Sequence, residues 1–183
     1  MPNIADIPAF SPALTVGFSS GDNPVGLIPA LTMLLYCVVL GLLVAISLAD
    51  AKTMEIPNWL CIALLACGVV AAFIIPEVTL VSRFIGLVCV SVPLLIISLI
   101  APGSFGGGDV KLMAAAGLLL GWQNTLLAAC IGILIGAAYG IYLLAAKKKG
   151  AKEHFPFAPA LCTGIACALL FGSQLIGWYL GAL

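Results

Sequence analysis

The sequence predicts an all-α polytopic membrane protein with about six transmembrane helices and both termini outside. Three observations carry that expectation. Of the 183 residues, 63% are hydrophobic and only 8% are charged, whereas a soluble domain carries about a quarter charged residues. The apolar residues run in continuous Leu/Ile/Ala/Gly-rich stretches, not in the roughly ten-residue alternating segments of a membrane barrel. With lipid as the solvent, the backbone must satisfy itself, and helices are the remaining solution. The third observation is where the basic residues fall. Threading six spans puts Lys52, Lys111, Lys147, Lys148, Lys149 and Lys152 on one face and leaves Arg83 alone near the other. The positive-inside rule makes the lysine face cytoplasmic.

Taken in order, residues 1–30 hold Pro2, Pro8, Pro12, Pro24 and Pro29 with Asp6 and Asp22, but no Lys or Arg. A secretory signal needs a positive n-region, so this stretch is not one; with the lysine face inside, it reads as a non-cytoplasmic tail. Residues 31–183 then form a six-helix membrane domain. Its apolar segments lie near 31–49, 59–75, 80–100, 110–122, 124–146 and 157–181. Each is bounded by Pro, Gly or charge: Asp50–Asn58, Pro76–Glu77, Ala101–Asp109, Trp122–Asn124 and Lys147–Pro156. Trp122, Trp178 and Tyr179 fall at the outer boundary and Trp59 at the inner one, where interfacial aromatics belong. Gly132, Gly136 and Gly140 repeat every four residues on the fifth segment. Close packing within the chain is the preferred reading of that stripe over a partner interface. No internal repeat supports an inverted-repeat transporter.

A formal net charge of zero points away from a nucleic-acid partner and leaves the lipid bilayer as the environment. Seven cysteines all lie in apolar stretches, without a Cys-x-x-Cys pair, and His154 is the single histidine. A structural zinc site or a disulfide framework is not expected, and neither is another metal or cofactor. The thiols read as small buried hydrophobes.

Two loops on the lysine face are unlike the rest. One reads Asp50-Ala51-Lys52-Thr53-Met54-Glu55-Ile56-Pro57-Asn58, the other Gly103-Ser104-Phe105-Gly106-Gly107-Gly108-Asp109-Val110-Lys111. Acidic residues at membrane depth are expensive and are presumed functional. Asp109 lies thirteen residues from Trp122, or roughly 20 Å at the helical rise, inside a hydrocarbon core of about 30 Å. The two carboxylates are therefore expected to meet near the cytoplasmic surface, where water reaches them. Gly106, Gly107 and Gly108 permit positive φ and close approach of another chain, so that an extended substrate can pair with them by strand addition. Pro57 suits the first turn of the second span. Two close carboxylates resist ionising together, so one keeps its proton. The ionised member takes a proton from water while the other polarises a carbonyl, which is peptide hydrolysis without metal or covalent intermediate. Lys52 and Lys111 read first as headgroup anchors, with a second role in pairing an acidic substrate residue.

At these loops the sequence resembles the type IV prepilin peptidases, membrane aspartyl peptidases marked by Gly-x-Gly-Asp. Gly106-Gly107-Gly108-Asp109 fits that motif and continues into its usual lysine, Lys111. Asp50 followed by Ile56-Pro57-Asn58 fits the first aspartate motif. Pro156-Phe157-Ala158-Pro159-Ala160 is similar to the family's element opening the last helix, with Ala158 where Gly is usual. The resemblance covers about residues 31–181. It implies a catalytic dyad of Asp50 and Asp109, with Gly106, Gly107, Gly108, Lys52, Lys111, Pro57 and Asn58 around the substrate. It further implies prepilin or pseudopilin substrates, cut on the cytoplasmic side of a prokaryotic inner membrane between a short basic leader and an apolar helix. The chain resembles the short, peptidase-only members serving Flp/Tad-type pili, without the Cys-x-x-Cys loop of the methylating forms.

Two other functions compete. A proton-coupled transporter or channel component would use Asp50 and Asp109 as a relay, but no charged residue is expected in the outer half of any span. A non-catalytic assembly scaffold would use the Gly132/Gly136/Gly140 stripe as its interface.

Overall fold

Because lipid offers the backbone no partner, a chain this apolar is driven to close its hydrogen bonds within each segment. The computed structural model describes residues 27–100, 106–145 and 157–181. The elements among them are all helices: α1 (Leu27–Thr53), α2 (Asn58–Ile74), α3 (Leu80–Cys89), α4 (Ser91–Ile100), α5 (Gly107–Leu120), α6 (Trp122–Ala145) and α7 (Ala158–Gly181). The N-terminal tail, the Gly103–Phe105 stretch, the lysine cluster at 147–152, His154, Pro156 and the Tyr179 side chain lie outside what is described.

The chain is an all-α polytopic membrane protein. Ala30–Thr53, Leu80–Ile100, Trp122–Tyr142 and Ala158–Trp178 are long and apolar enough to cross a bilayer. α2 and α5 are shorter, at 17 and 14 residues, which is roughly 25 and 21 Å of helix. The third apolar segment is not one continuous helix, because the chain turns at Val90 between α3 and α4. Pro93, one turn further on, has no N–H to donate and its ring crowds the carbonyl of Cys89, four residues back.

Arg83 corrects the sequence reading most sharply. It was expected near the outer face, with no charge in the outer half of any span. It does lie at the start of the third span, but as a charge within it: Arg83 sits in the first turn of α3 with 0% exposure. All five of its N–H donors go to backbone carbonyls. Nη2 donates to Ala71 at 3.1 Å and Ile75 at 2.9 Å, Nη1 to Leu118 at 3.0 Å and Leu119 at 2.9 Å, and Nε to Val78 at 3.2 Å. Four of these acceptors belong to the C-terminal ends of α2 and α5, where carbonyls run out of intrahelical donors and the helix dipoles are negative; Ala71 O, which also accepts from Ile75 N at 2.9 Å, takes the guanidinium as a second donor. One buried cation therefore ties two helix C-termini together.

Small residues bring the same helices into backbone contact. A Cβ on Gly86 would meet Gly117 O at 2.6 Å and the Gly121 backbone at 2.8 Å, and one on Gly117 would overlap the Gly86 carbonyl. Gly68 of α2 lies equally close to Leu118 and Leu119. On the other side of the bundle, Gly132 packs on Leu161, Gly136 on the Phe157 ring, and Gly164 on the Ala128 carbonyl. The stripe residues Gly132 and Gly136 thus serve packing within the chain, as the sequence suggested. The reading of every cysteine as buried holds only in part, since Cys37 and Cys130 are exposed on the bundle's flank.

Arg83 gathers the C-termini of α2 and α5, and Lys111 of α5 reaches Asn58 at the start of α2, so the two helices run parallel with their N-termini at the opposite end of the bundle. Replacing Arg83 with Met should remove the guanidinium bonds to those carbonyls and cost roughly 3–5 kcal/mol. Arg83→Lys, with three donors, should recover only part. Thermal unfolding of the purified protein in detergent measures both, and a wild-type midpoint for Arg83→Met would overturn this account.

Candidate active site

Asp50 lies near the end of α1, one turn before the helix stops. Thr53 closes that end by donating its hydroxyl to Ala49 O at 2.9 Å and Glu55 O at 3.0 Å. Met54 then takes a positive φ of 54°, the left-handed exit that terminates many helices. The Asp50 carboxylate is turned inward, with 6% exposure. Its Oδ2 accepts a hydrogen bond at 3.1 Å from the backbone N–H of Ala158, the first residue of α7. Such an amide has no intrahelical acceptor, and the positive end of the helix dipole favours an anion there.

Asp109 occupies the first turn of α5, with 5% exposure. Its Oδ2 accepts from the N–H of Gly106 at 3.2 Å, and its own N–H donates to Gly106 O at 3.0 Å. The aspartate so caps the helix that carries it. The glycines act differently from the sequence reading. Gly107 and Gly108 are already helical, Gly106 is extended at φ −71°, and Gly121 is the glycine with positive φ among the described residues. What Gly108 supplies is proximity: a Cβ there would meet the Ile56 Cβ at 2.8 Å. That contact sets the turn after α1 directly against the start of α5.

Asp50, Asp109, Gly106, Gly107 and Gly108 line one open pocket of about 280 Å³, together with Met54, Glu55 and Ile56. The two carboxylates are near enough for the charge of Asp50 to act on Asp109. Of the remaining residues expected here, Pro57 is the N-cap of α2, at φ −59° and ψ 129°, one position earlier than the first turn. Asn58 and Lys111 pair with each other, Lys111 Nζ donating to Asn58 Oδ1 at 2.9 Å. This joins the parallel helices α2 and α5 at their N-termini. Lys52 is exposed; none of Pro57, Asn58, Lys52 and Lys111 lines the pocket. Sequence reasoning missed the pocket-lining roles of Met54 and Glu55 and the amide of Ala158. Met54 and Glu55 stood inside the quoted aspartate loop, but a left-handed turn at a methionine has no composition signal.

Comparison with known proteins shows the family. The profile of the type IV leader peptidase family matches residues 37–141, a stretch containing both aspartates and the glycine run. The chain is 32% identical over 143 residues to a prepilin leader peptidase/N-methyltransferase of Bacillus subtilis (strain 168), covering 78% of this chain and 58% of that protein. Proteins of the same description match from Aeromonas salmonicida (strain A449), at 32% over 146 residues with 77% and 50% covered, and from Aeromonas hydrophila, at 33% over 143 residues with 75% and 49% covered. The chain thus spans about half the length of the curated relatives it matches. No solved structure matches it.

The Gly108–Ile56 contact yields a direct test. Gly108→Ala should force the turn and α5 apart, costing about 1–3 kcal/mol as overpacking does. Adding Ile56→Ala removes two of the three overlapped atoms, Cγ1 and Cδ1, and should restore part of the loss. Thermal midpoints of the single and double variants decide; a fully tolerated Gly108→Ala would show that this approach is not tight.

Proposed function

Because the chain belongs to the type IV leader peptidase family, we propose that it is a membrane aspartyl endopeptidase that removes the short basic leader of type IV prepilins or pilin-like proteins. The observation that carries the proposal is the meeting of Asp50 and Asp109 at one water-reachable pocket, from helices far apart in sequence. In this reading one carboxylate is ionised and takes a proton from the attacking water. Its protonated neighbour polarises the scissile carbonyl and then serves the leaving amine. The leader-peptidase part of the relatives' description is the part that these two residues support.

The pocket's chemistry agrees with a basic leader. Its lining contributes three carboxylates, Asp50, Glu55 and Asp109, and no basic side chain among the described residues. Gly106, Gly107 and Gly108 form the wall on which the peptide would lie, and the Asn58–Lys111 pair holds the start of α5 that carries it. We place residues 31–183 in a six-pass peptidase domain by counting α2 and α5 as spans. The site then faces the cytoplasm of a prokaryotic cell, with both termini on the other side and residues 1–30 as a non-cytoplasmic tail. The proton-relay alternative loses ground at Arg83. That buried charge at the far end of the bundle is saturated by carbonyls, a structural use, not a step on a proton path.

Co-expression with a candidate prepilin tests the proposal. Asp50→Asn and Asp109→Asn should each abolish processing, a loss of at least about a thousandfold, while the protein still inserts and accumulates. Cleavage by either variant at an appreciable rate would sink the dyad.

A further inference from the structure

The amide that reaches Asp50 belongs to Ala158, 108 residues further along the chain, so something must set where α7 begins. Phe157 immediately precedes that helix. Its carbonyl accepts from Ala160 N at 3.1 Å and Leu161 N at 3.2 Å, so its backbone is the start of the helical ladder. Its ring occupies the space where a side chain on Gly136 of α6 would be: an added Cβ would overlap ring atom Cε2 and come within 2.9 Å of Cδ2 and 3.0 Å of Cζ. One turn into α7, Leu161 rests on Gly132, and beyond it Gly164 meets Ala128 and Gly132. The first residues of α7 are therefore keyed into a row of missing side chains on α6. Phe157 is the key nearest Asp50, and Ala158 behind it is fully buried.

We propose that Phe157, seated on Gly136, is a positioning residue for Asp50: it fixes the start of α7 so that the Ala158 amide holds one oxygen of the Asp50 carboxylate. A carboxylate has about four acceptor sites, so this single bond sets its orientation and leaves capacity for water or substrate. The inference deepens the aspartyl-peptidase reading and rests on it. Groups from several elements share the surroundings of Asp50: Asp109 from α5, Glu55 from the turn after α1, and Cys162 from α7. None of them replaces a donor held by a neighbouring helix.

The test uses the purified full chain in detergent and a synthetic peptide joining a lysine-rich leader to an apolar helix. Gly136→Ala should displace the ring and lower kcat by about ten- to a hundredfold, the upper figure being the cost of a 1 Å misplacement, with KM within about twofold of wild type. The pH at which kcat is half-maximal should shift, since the carboxylate has lost a donor. Gly132→Ala, which disturbs the same α6–α7 interface at Leu161, serves as the packing control; it should lower thermal stability comparably and leave the pH profile in place. Gly136→Ala combined with Phe157→Leu should recover most of kcat and return the profile. Wild-type kcat and pH profile in Gly136→Ala would overturn the positioning role alone. So would identical profile changes in Gly132→Ala, or no recovery in the double variant. A wild-type enzyme that leaves the peptide intact would overturn the peptidase reading and this inference together.

Discussion

One guanidinium holds the bundle's geometry. Arg83 gives all five of its N–H groups to main-chain oxygens at the ends of α2 and α5 and in the connection before α3. A buried charge of this kind survives in an apolar bundle only when each donor is matched, and the carbonyls of two helix ends, each with two lone pairs, are a ready set of acceptors. The consequence is directional. With two C-termini on one cation and the N-termini in contact at the other end, the two helices run parallel. At that opposite end lie the Ile56–Gly108 contact and the Lys111–Asn58 hydrogen bond. The charge at one end of the bundle thus helps place Asp109 at the other.

The site repeats the same physical device with the sign reversed. Helix N-termini carry unpaired amides and a positive dipole end, and both aspartates are held by amides at helix starts. Asp109 is held by the cap of its own helix, a local bond three residues long. Asp50 is held by the start of α7, which depends on how that helix is seated against α6. The two members of the pair therefore differ in what maintains them. One is built into a short turn, while the other is assembled from the two ends of the domain.

Glycine makes these approaches possible because lipid provides no hydrophobic drive between helices. Association then rests on close packing and on hydrogen bonds. At Gly86 and Gly117 the backbones themselves touch, and at Gly132 and Gly164 helices α6 and α7 do likewise. Side chains such as Phe73, Leu99, Ile100, Leu134 and Trp178 remain 70% or more exposed. On a soluble protein they would be a liability; on this one they form the surface for acyl chains.

The sequence alone determined the solvent and the class of fold, since a chain with 8% charge and long apolar runs leaves only helices in lipid. It also showed both aspartates and the glycine run, because a charge or a run of three glycines stands out in such a background. Gly132 and Gly136 of the stripe on α6 were correctly read as packing, because a four-residue period puts them on one helix face. The tertiary structure alone decided what joins distant residues. The run of apolar segments showed that Arg83 lies near a span's end, but not that two other helices end around it. The motif showed that Gly108 matters, but the positive φ expected there is at Met54 and Gly121 instead. No local pattern announced that an amide of α7 holds Asp50, because a backbone donor carries no signature in the sequence and its partner lies 108 residues away. Hydropathy is a local property of a segment, whereas a shared carboxylate site depends on how segments meet.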